Sequence, residues 1–225
     1  MAFYDYKPPS TVARETTERG EIVLRHRQNN VFELIVNGVF LMATDNSVSA
    51  KELAYKSLDV LEKQSEISVL IGGLGLGYTL AAALERPGVS TVDVVEIERY
   101  IVDWANIYYP EIHDHALDNP KTNVIIDDLV QYVQNCESVY DAILLDIDNG
   151  PTWLVSDSNP ALYEIPLLKR LKAMLTPGGV LGIWGSESSP PFLSCLRSIF
   201  PKTEEVIVID TVDHHELEHV IYIAC

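Results

Sequence analysis

The feature that most limits the fold of this chain is a regular alternation of apolar runs and helix-like segments that begins near residue 65. The strand-like runs are "ISVLIGG", "VDVVEI", "TNVIID", "YDAILLD" and "GGVLGIWG", separated by helix-like segments such as "YTLAAALE", "YIVDWANIYY" and "LYEIPLLKRLKAML". This alternation predicts an α/β fold with a doubly wound, mostly parallel sheet. The final runs "EEVIVID" and "HVIYIA" are joined by a segment too short for a helical crossover, so we expect them to pair antiparallel and complete seven strands.

The N-terminal part has a different character and predicts a small β appendage over residues 1–48, followed by the main domain over residues 49–225. The runs "EIVLRHR", "FELIVN" and "VFLMA" favour strands, and Asn37-Gly38 is the dipeptide typical of a two-residue hairpin turn. The segment "SAKELAYKSLDVLEK" then predicts a linking helix, with Ser49 as its cap.

Composition excludes several classes of function. The chain has 225 residues with 16 Lys+Arg against 33 Asp+Glu, a formal net charge of -17 that would repel nucleic acid. Three separated cysteines and the His-rich pieces "HDH" and "HHELEH" do not form a recognisable ligand pattern, so we predict no metal site. Without an apolar leader or a membrane-length apolar stretch, the sequence predicts a cytoplasmic protein that binds no membrane.

The segment "LIGGLGLGYT" places Gly73, Gly75 and Gly77 between a predicted strand and a predicted helix. In a parallel sheet such a loop lies at the carboxyl edge, where nucleotides bind. Tyr78 stands where the dinucleotide fingerprint needs a small residue, so NAD fits poorly. The alternative is a tight strand-to-helix turn that binds no ligand.

Acidic residues end the next two predicted strands and narrow the choice of ligand. Glu96 can accept hydrogen bonds from both ribose hydroxyls, and Asp127 and Asp128 can accept from an exocyclic adenine amine. Since no Walker lysine or basic cluster follows the glycines, the predicted ligand is an adenosine without phosphates.

The fourth strand of the alternation delivers the best catalytic candidate, Asp146, to the same edge of the sheet. An aspartate there can orient an amine and accept its proton, although it could instead cap the loop or hold the donor's ammonium. Asp148 and Asn149 stand close behind it and are predicted to contact substrate. Trp153 and Tyr163 are predicted to line the acceptor pocket, with ordinary packing as the alternative.

These motifs together resemble the class I S-adenosylmethionine-dependent methyltransferase fold, and within it the spermidine synthase family. The resemblance rests on the GxGxG loop, "LLDIDNGP", "LTPGGVL" and the match of "LIVNGVFLMATDNSVSAKELAYKSL" to the family's hairpin and linking helix. It implies that Ile97 and Leu129, beside the acidic strand ends, also bind the donor. It further implies a homodimer that acts on a small-molecule acceptor.

The chain departs from that family at positions that bind substrate. Leu76 falls where the family has an aspartate that holds the donor amine, Asn149 replaces a second carboxylate, and Lys51 replaces a histidine. This change of charge favours S-adenosylmethionine, which retains its carboxylate, over the decarboxylated donor. The sequence therefore predicts an S-adenosylmethionine-dependent transferase that moves the methyl group or transfers or cyclises the aminocarboxypropyl group. The alternatives are an aminopropyltransferase that makes polyamines and a non-catalytic adenosine-binding module.

Overall fold

A computed structural model describes residues 8–147, 159–212 and 215–225 of the protein. The chain divides into two compact units, Met1–Asn46 and Ser47–Cys225. The first unit contains a four-stranded antiparallel sheet of β1 (Ser10–Thr17), β2 (Gly20–Arg27), β3 (Val31–Val36) and β4 (Val39–Ala43), in that order. It is therefore larger than the predicted hairpin, because β1 adds a strand that the apolar pattern does not reveal.

The predicted hairpin turn is confirmed at Asn37 and Gly38. The register pairs Val36 with Val39 across the two residues, and both have positive φ, 51° at Asn37 and 77° at Gly38. This backbone is the type I′ turn that asparagine and glycine tolerate at low cost. The Asn37 side chain also accepts a hydrogen bond from the Glu21 backbone N–H, 2.9 Å away, which joins the turn to β2.

The second unit contains the predicted seven-stranded sheet. Its strands are β5 (Ile67–Gly72), β6 (Val89–Glu96), β7 (Thr122–Ile126), β8 (Tyr140–Leu145), β9 (Leu175–Gly185), β10 (Thr203–Val212) and β11 (His215–Ala224). They lie in the order β10-β11-β9-β8-β5-β6-β7, and only the pairs that involve β11 are antiparallel. The strands β5 and β8 are mostly apolar and almost entirely buried, because helices cover both faces of the sheet.

The helices of this unit are α1 (Val48–Asp59), α2 (Tyr78–Glu85), α3 (Arg99–Tyr108), α4 (Leu129–Asn135), α5 (Ile165–Ala173) and α6 (Pro190–Ile199). Helix α1 packs on β8, β9, β10 and β11, whereas α5 and α6 pack with α4 on the core cluster of the opposite face. None of the described helices has the length and apolar character that crossing a bilayer requires.

The connections of the sheet define where a ligand is expected. From β5 the chain runs outward through β6 to the edge strand β7, then returns to place β8 on the other side of β5. The direction of winding therefore reverses between β5 and β8, and the loops after these strands part there to leave a crevice. The glycine-rich loop follows β5, and Asp146 follows β8.

Helix α1 begins differently from the sequence prediction, in which Ser49 caps it. The helix starts at Val48, so Ser49 lies inside the first turn, and no side chain of the preceding residue caps it. Instead the buried Asp210 of β10 accepts hydrogen bonds from the backbone N–H groups of Val48 and Ser49, at 3.1 and 3.2 Å. A carboxylate at this end satisfies free N–H groups and complements the helix dipole.

Candidate functional site

The glycine-rich loop needs its glycines for reasons internal to the protein. Gly73, Gly75 and Gly77 all have positive φ, at 87°, 53° and 84°. A Cβ at Gly73 would lie 2.4 Å from the backbone oxygen of Asp146, and one at Gly77 would lie 2.8 Å from the Cβ of His113. Two of the glycines are thus required by close packing whether or not a ligand is bound.

His113 forms the floor beneath this loop and is fully buried. Its Nδ1 accepts a hydrogen bond from the Ala116 N–H at 3.1 Å, so the Nε2–H donates to the Ala105 carbonyl at 3.3 Å. Burial lowers its pKa below the usual histidine value, which keeps the ring neutral. Hence the first histidine of "HDH" is a structural support, and no group of described residues forms a metal site.

Glu96 holds the loop through backbone hydrogen bonds. Its side chain is buried at the end of β6 and accepts from the N–H groups of Leu74 and Glu98, each at 2.8 Å. Burial raises the pKa of Glu96, although these hydrogen bonds oppose the shift. Glu96 therefore shapes the loop in this structure, and its contact with a ribose stays a prediction. The contact of the partly buried Ile97 with the donor also stays a prediction.

The two aspartates after β7 have different local roles. Asp128 caps α4, accepting from the N–H groups of Val130 and Gln131 at 2.7 and 3.3 Å. Asp127 accepts from the N–H of Asp128 at 2.8 Å. The Leu129 side chain lies against Gly72 at the end of β5, where it fills the space a Cβ would need. These contacts give Asp127, Asp128 and Leu129 local structural roles, and the binding of adenine there stays a prediction.

Asp146 lies directly after β8 beside the loop, and its N–H donates to the Gly72 carbonyl at 2.9 Å. The partly buried side chain accepts a hydrogen bond from the Thr79 hydroxyl of α2, with an oxygen-to-oxygen distance of 2.5 Å. Burial raises the pKa of Asp146, and the Thr79 hydrogen bond opposes this only in part. The site thus contains a carboxyl group that binds a proton more readily than a solvent-exposed aspartate does.

Two more of the predicted site residues, Lys51 and Tyr163, belong to the part of the chain that the structure describes. Lys51 is in the first turn of α1, with its Nζ 5.6 Å from the centre of the Tyr78 ring. Tyr163 is buried edge-on against Phe192, and its hydroxyl donates to the Ile147 carbonyl at 3.3 Å. Asp148, Asn149 and Trp153 lie outside the described residues. Tyr163 therefore packs in the core. Its hydroxyl is bonded to Ile147, the residue that follows Asp146 in the chain.

A cleft of about 760 Å³ opens at the opposite, amino edge of the sheet. Its polar centre is Asp141, whose carboxylate accepts hydrogen bonds from Lys63 at 2.8 Å and from Thr176 at 2.7 Å. Every polar contact of this aspartate is with a neighbouring element of the same sheet unit, so we assign the carboxylate a stabilising role. The carboxyl edge is the better candidate for a ligand.

Sequence reasoning missed several residues of the carboxyl edge. Thr79 reaches Asp146, Asp210 caps α1, and Trp184 of β9 stacks on His219 of β11 with ring centres 5.1 Å apart. The only signal for any of these was the His-rich piece "HHELEH", which contains His219 and was judged for metal binding alone.

Comparison with known proteins places this geometry in a family. Residues 49–189, more than half of the chain, match the spermine/spermidine synthase domain. The chain therefore belongs to the spermine/spermidine synthase family. This agrees with the resemblance drawn from the glycine loop and from the segment around Asp146.

The curated relatives are polyamine aminopropyltransferases. Polyamine aminopropyltransferase 2 of Pseudomonas aeruginosa is 25% identical over 190 residues, which cover 83% of this chain and 52% of that protein. Polyamine aminopropyltransferase of Sulfolobus acidocaldarius is 30% identical over 161 residues, covering 71% of this chain and 51% of the relative. The chain thus spans about half the length of these relatives.

Solved structures confirm the fold. The spermidine synthase of Thermotoga maritima superposes with a TM-score of 0.78 at 16% identity, covering 95% of this chain and 72% of the other. A spermidine synthase in complex with the transition-state analogue AdoDATO gives the same TM-score at 17% identity, covering 95% of this chain and 73% of that one. At this level of identity the likeness establishes the architecture predicted from the sequence.

Proposed function

We propose that the chain transfers the aminopropyl group of decarboxylated S-adenosylmethionine to an amine acceptor, and that Asp146 accepts the proton of the attacking amine. The observation that carries the proposal is the Asp146 carboxyl at the carboxyl end of β8, with a raised pKa and a hydrogen bond from Thr79. Family membership supports it, and the relatives are named for aminopropyl transfer. Methyl transfer has no such support and is set aside.

The proposed reaction is an in-line displacement. The acceptor nitrogen attacks the propyl carbon bonded to the sulfonium, the carbon–sulfur bond breaks, and its electron pair stays on sulfur to give methylthioadenosine. The proton lost by the amine passes to Asp146. Because the positive charge disperses during this step, the protein contributes chiefly by orienting the two reactants and by accepting the proton.

The glycine loop and the acidic strand ends form the proposed donor site. Glu96 would accept from the ribose with the lone pairs left after its backbone hydrogen bonds, and Asp127 or Asp128 would accept from the adenine amine. Ile97 and Leu129 would contact the adenine with their apolar side chains. We expect Glu96→Ala to weaken the binding of methylthioadenosine by roughly 1.5–3 kcal/mol, measured by calorimetry.

The experiment that tests the function compares two donors with a panel of amines. The protein is incubated with decarboxylated S-adenosylmethionine or with S-adenosylmethionine, and products are separated by mass spectrometry. Formation of methylthioadenosine together with an acceptor heavier by one aminopropyl group supports the proposal. Formation of S-adenosylhomocysteine would contradict it, and so would donor binding without any transfer.

A second candidate function, transfer of the aminocarboxypropyl group of S-adenosylmethionine itself, is favoured by two residues of the site. Leu76 is buried and apolar in the glycine loop, so it offers the donor's ammonium no charge, and Lys51 supplies a cation near the start of α2. A donor that retains its carboxylate would pair with Lys51.

Donor affinities separate the two candidates. If Lys51 holds a carboxylate, S-adenosylmethionine binds roughly three- to thirtyfold more tightly than the decarboxylated donor, the lower end for a partly exposed ion pair and the upper end for a better-buried one. Lys51→Ala then shrinks this difference and leaves the affinity for methylthioadenosine, which has neither charged group, unchanged. Tighter binding of the decarboxylated donor would instead support aminopropyl transfer.

A further inference from the structure

The buried Asp210 of β10 has no place in the proposed donor site, yet its contacts lead toward it. Its Oδ2 accepts hydrogen bonds from the backbone N–H groups of Val48 and Ser49, at 3.1 and 3.2 Å, and its Oδ1 accepts from the Thr211 N–H at 3.1 Å. Because both oxygens are engaged, the carboxylate is held in one orientation. The side chain therefore fixes the first turn of α1 against the edge strand of the sheet.

A cap from a distant strand does something that a local cap does not. The residue before α1, Ser47, is of a type that commonly caps helices, but its side chain makes no such hydrogen bond here. A local serine would satisfy the free N–H groups without burying a charge, whereas a buried carboxylate carries a large desolvation cost. The additional effect of Asp210 is positional, because it ties the start of the helix to the sheet.

The turn that Asp210 fixes makes a hydrogen bond in the direction of Asp146. The Ala50 carbonyl lies 3.1 Å from the hydroxyl oxygen of Thr79, in the first turn of α2. The Thr79 side chain is buried, and the same hydroxyl oxygen lies 2.5 Å from the Oδ2 of Asp146. Hydrogen bonds and one helical turn therefore form a continuous path from Asp210 through α1 and Thr79 to Asp146, within one compact unit.

The Thr79 hydroxyl can respond to the protonation state of Asp146, because a hydroxyl both donates and accepts hydrogen bonds. When Asp146 is ionised, the carboxylate is the stronger acceptor, so the hydroxyl donates to it. When Asp146 is protonated, its O–H can donate to the Thr79 oxygen while the Thr79 hydroxyl donates to the Ala50 carbonyl. The carbonyl therefore stabilises protonated Asp146, provided that α1 keeps it within hydrogen-bond distance of Thr79.

We propose that Asp210 is a positioning residue for the proton transfer. By capping α1 it keeps the Ala50 carbonyl beside Thr79, so that Thr79 can accept a hydrogen bond from Asp146 once the proton has left the attacking amine. The inference rests on the proposed transfer to an amine, in which Asp146 takes up that proton. The proton moves from the amine nitrogen to Asp146, the Thr79 hydroxyl turns from Asp146 to Ala50, and no bond to Asp210 is made or broken.

Loss of the cap should lower the pKa of Asp146. Burial raises this pKa, and the Thr79 hydrogen bond opposes the rise. If the Ala50 carbonyl moves away, the Thr79 hydroxyl has only Asp146 to donate to, which favours the ionised carboxylate. A fall in this pKa is the opposite of what Thr79→Val should produce, since that variant removes the opposing hydrogen bond altogether.

Charged neighbours of this path are separated from the cap by sign and by substitution. Lys51 lies in the same turn of α1, and its displacement would raise the pKa of Asp146 rather than lower it. His219 of β11 is influenced by the charge of Asp210, but burial lowers the pKa of the histidine and keeps its ring neutral. Asp210→Ala removes the charge and the cap together, whereas Asp210→Asn removes the charge and retains an oxygen that caps helices well.

The kinetic test records kcat/KM for methylthioadenosine formation against pH. We expect Asp210→Ala to move the acid limb to lower pH by about 0.3–1 pH unit, and Asp210→Asn to stay close to the wild type. Asp141→Ala is the matched control, because it removes another buried carboxylate, at the opposite edge of the sheet. In a Thr79→Val background, Asp210→Ala should cause no further shift.

The acid limb decides between a positioning role and a purely structural one. An unchanged acid limb in Asp210→Ala, or the same shift in Asp210→Asn or Asp141→Ala, refutes the positioning role. A shift that persists in the Thr79→Val background refutes it as well, because the effect would then bypass Thr79. Should Asp210→Ala fail to fold, as judged by circular dichroism, Asp210→Leu fills the same buried space and provides the same comparison.

A measurement on the protein alone separates this inference from the proposed function. The carboxyl carbon of Asp146 is followed against pH by carbon NMR, with Asp146→Asn to assign its signal. A titration midpoint that falls in Asp210→Ala and not in Asp210→Asn supports the positioning of Asp146, even where no amine is turned over and the transferase proposal fails. Aminopropyl transfer with an unmoved midpoint refutes the positioning role and leaves the transferase. An unmoved midpoint without transfer overturns both.

Discussion

An aspartate lies at each end of β8, Asp141 within the strand and Asp146 directly after it, and the two differ in their hydrogen bonds. Asp141, at the amino edge, is almost fully buried and accepts hydrogen bonds from Lys63, from the backbone and hydroxyl of Ser68 and from Thr176. Asp146, at the carboxyl edge, accepts one hydrogen bond, from Thr79, within the described part of the chain. The same residue type thus serves as a structural anchor at one end, whereas at the other end it has few partners and is the proton acceptor of the proposed reaction.

The pKa values of the two carboxyls follow from this difference. Burial alone would raise the pKa of Asp141, but the hydrogen bonds from Lys63, Ser68 and Thr176 outweigh it, and the pKa is lowered. At Asp146 burial dominates the single hydrogen bond, so the pKa is raised. Satisfied carboxylates stabilise a fold, and a carboxylate left short of partners is available for proton transfer.

The largest expected effect comes from removing the reactive carboxylate. Asp146→Asn keeps the size of the side chain and removes the proton acceptor, so we expect kcat/KM for methylthioadenosine formation to fall by about 10²–10⁴-fold. Affinity for methylthioadenosine, measured by calorimetry, should stay close to that of the wild type. Turnover within a factor of about three of wild type would show that another group accepts the proton.

The second prediction concerns the stability that Asp141 provides at the amino end of β8. Asp141→Ala leaves Ser68 and Thr176 without an acceptor and Lys63 without its partner, and we expect a loss of about 2–4 kcal/mol in the free energy of unfolding. The Lys63 ion pair contributes little to this loss, because the Lys63 side chain is 44% exposed and solvent screens its charge. Urea unfolding measures it, with the exposed Asp59→Ala as control. A change in the free energy of unfolding below about 0.5 kcal/mol would show that Asp141 does not stabilise the fold as proposed.

The pH dependence of stability should have opposite signs at the two ends. The lowered pKa of Asp141 means that its contribution is present above the unfolded value, about 3.9, and is lost as pH falls through the folded pKa. The raised pKa of Asp146 means that stability falls as pH rises from the unfolded value through the folded pKa. At neutral pH we therefore expect Asp146→Asn to melt above the wild type and Asp141→Asn below it.

Melting temperatures recorded between pH 3 and pH 8 check this pair of signs. Both differences from the wild type should shrink toward the acid end, that of Asp146 as pH falls toward the unfolded value and that of Asp141 as pH falls below it. Two variants that shift the melting temperature in the same direction would show that local packing, rather than charge, decides the effect.

Local and repeating patterns made much of this molecule predictable from its sequence. Apolar runs predicted the seven strands, the Asn37-Gly38 pair predicted the hairpin turn, and strand ends predicted Asp146 at the carboxyl edge. Contacts between distant segments left no such pattern. The cap of α1 comes from Asp210, 161 residues beyond Ser49, and the neighbours of His219 depend on the register of three strands.

The glycine loop shows a further limit of sequence reasoning. Its glycines were interpreted as a ligand signal, and the structure shows that Gly73 and Gly77 are also needed for contacts with Asp146 and His113. A motif alone does not separate these two requirements, because each demands the same absence of a side chain. The homodimer and the donor contacts of Glu96 and Asp128 stay predictions.

The smallest predicted effect concerns Thr79, which connects Asp146 to α1. Its single hydroxyl proton faces two acceptors, the Asp146 carboxylate at 2.5 Å and the Ala50 carbonyl at 3.1 Å. Thr79→Val removes the hydrogen bond that lowers the pKa of Asp146, so the acid limb of the kcat/KM profile should move to higher pH. At neutral pH the loss should be about three- to tenfold, the equivalent of one net hydrogen bond, and Thr79→Ser should restore the profile. Thr176→Val, the same substitution beside Asp141, should lower stability and leave the acid limb at the same pH. An equal shift of the acid limb in both variants would show that Thr79 has no specific effect on Asp146.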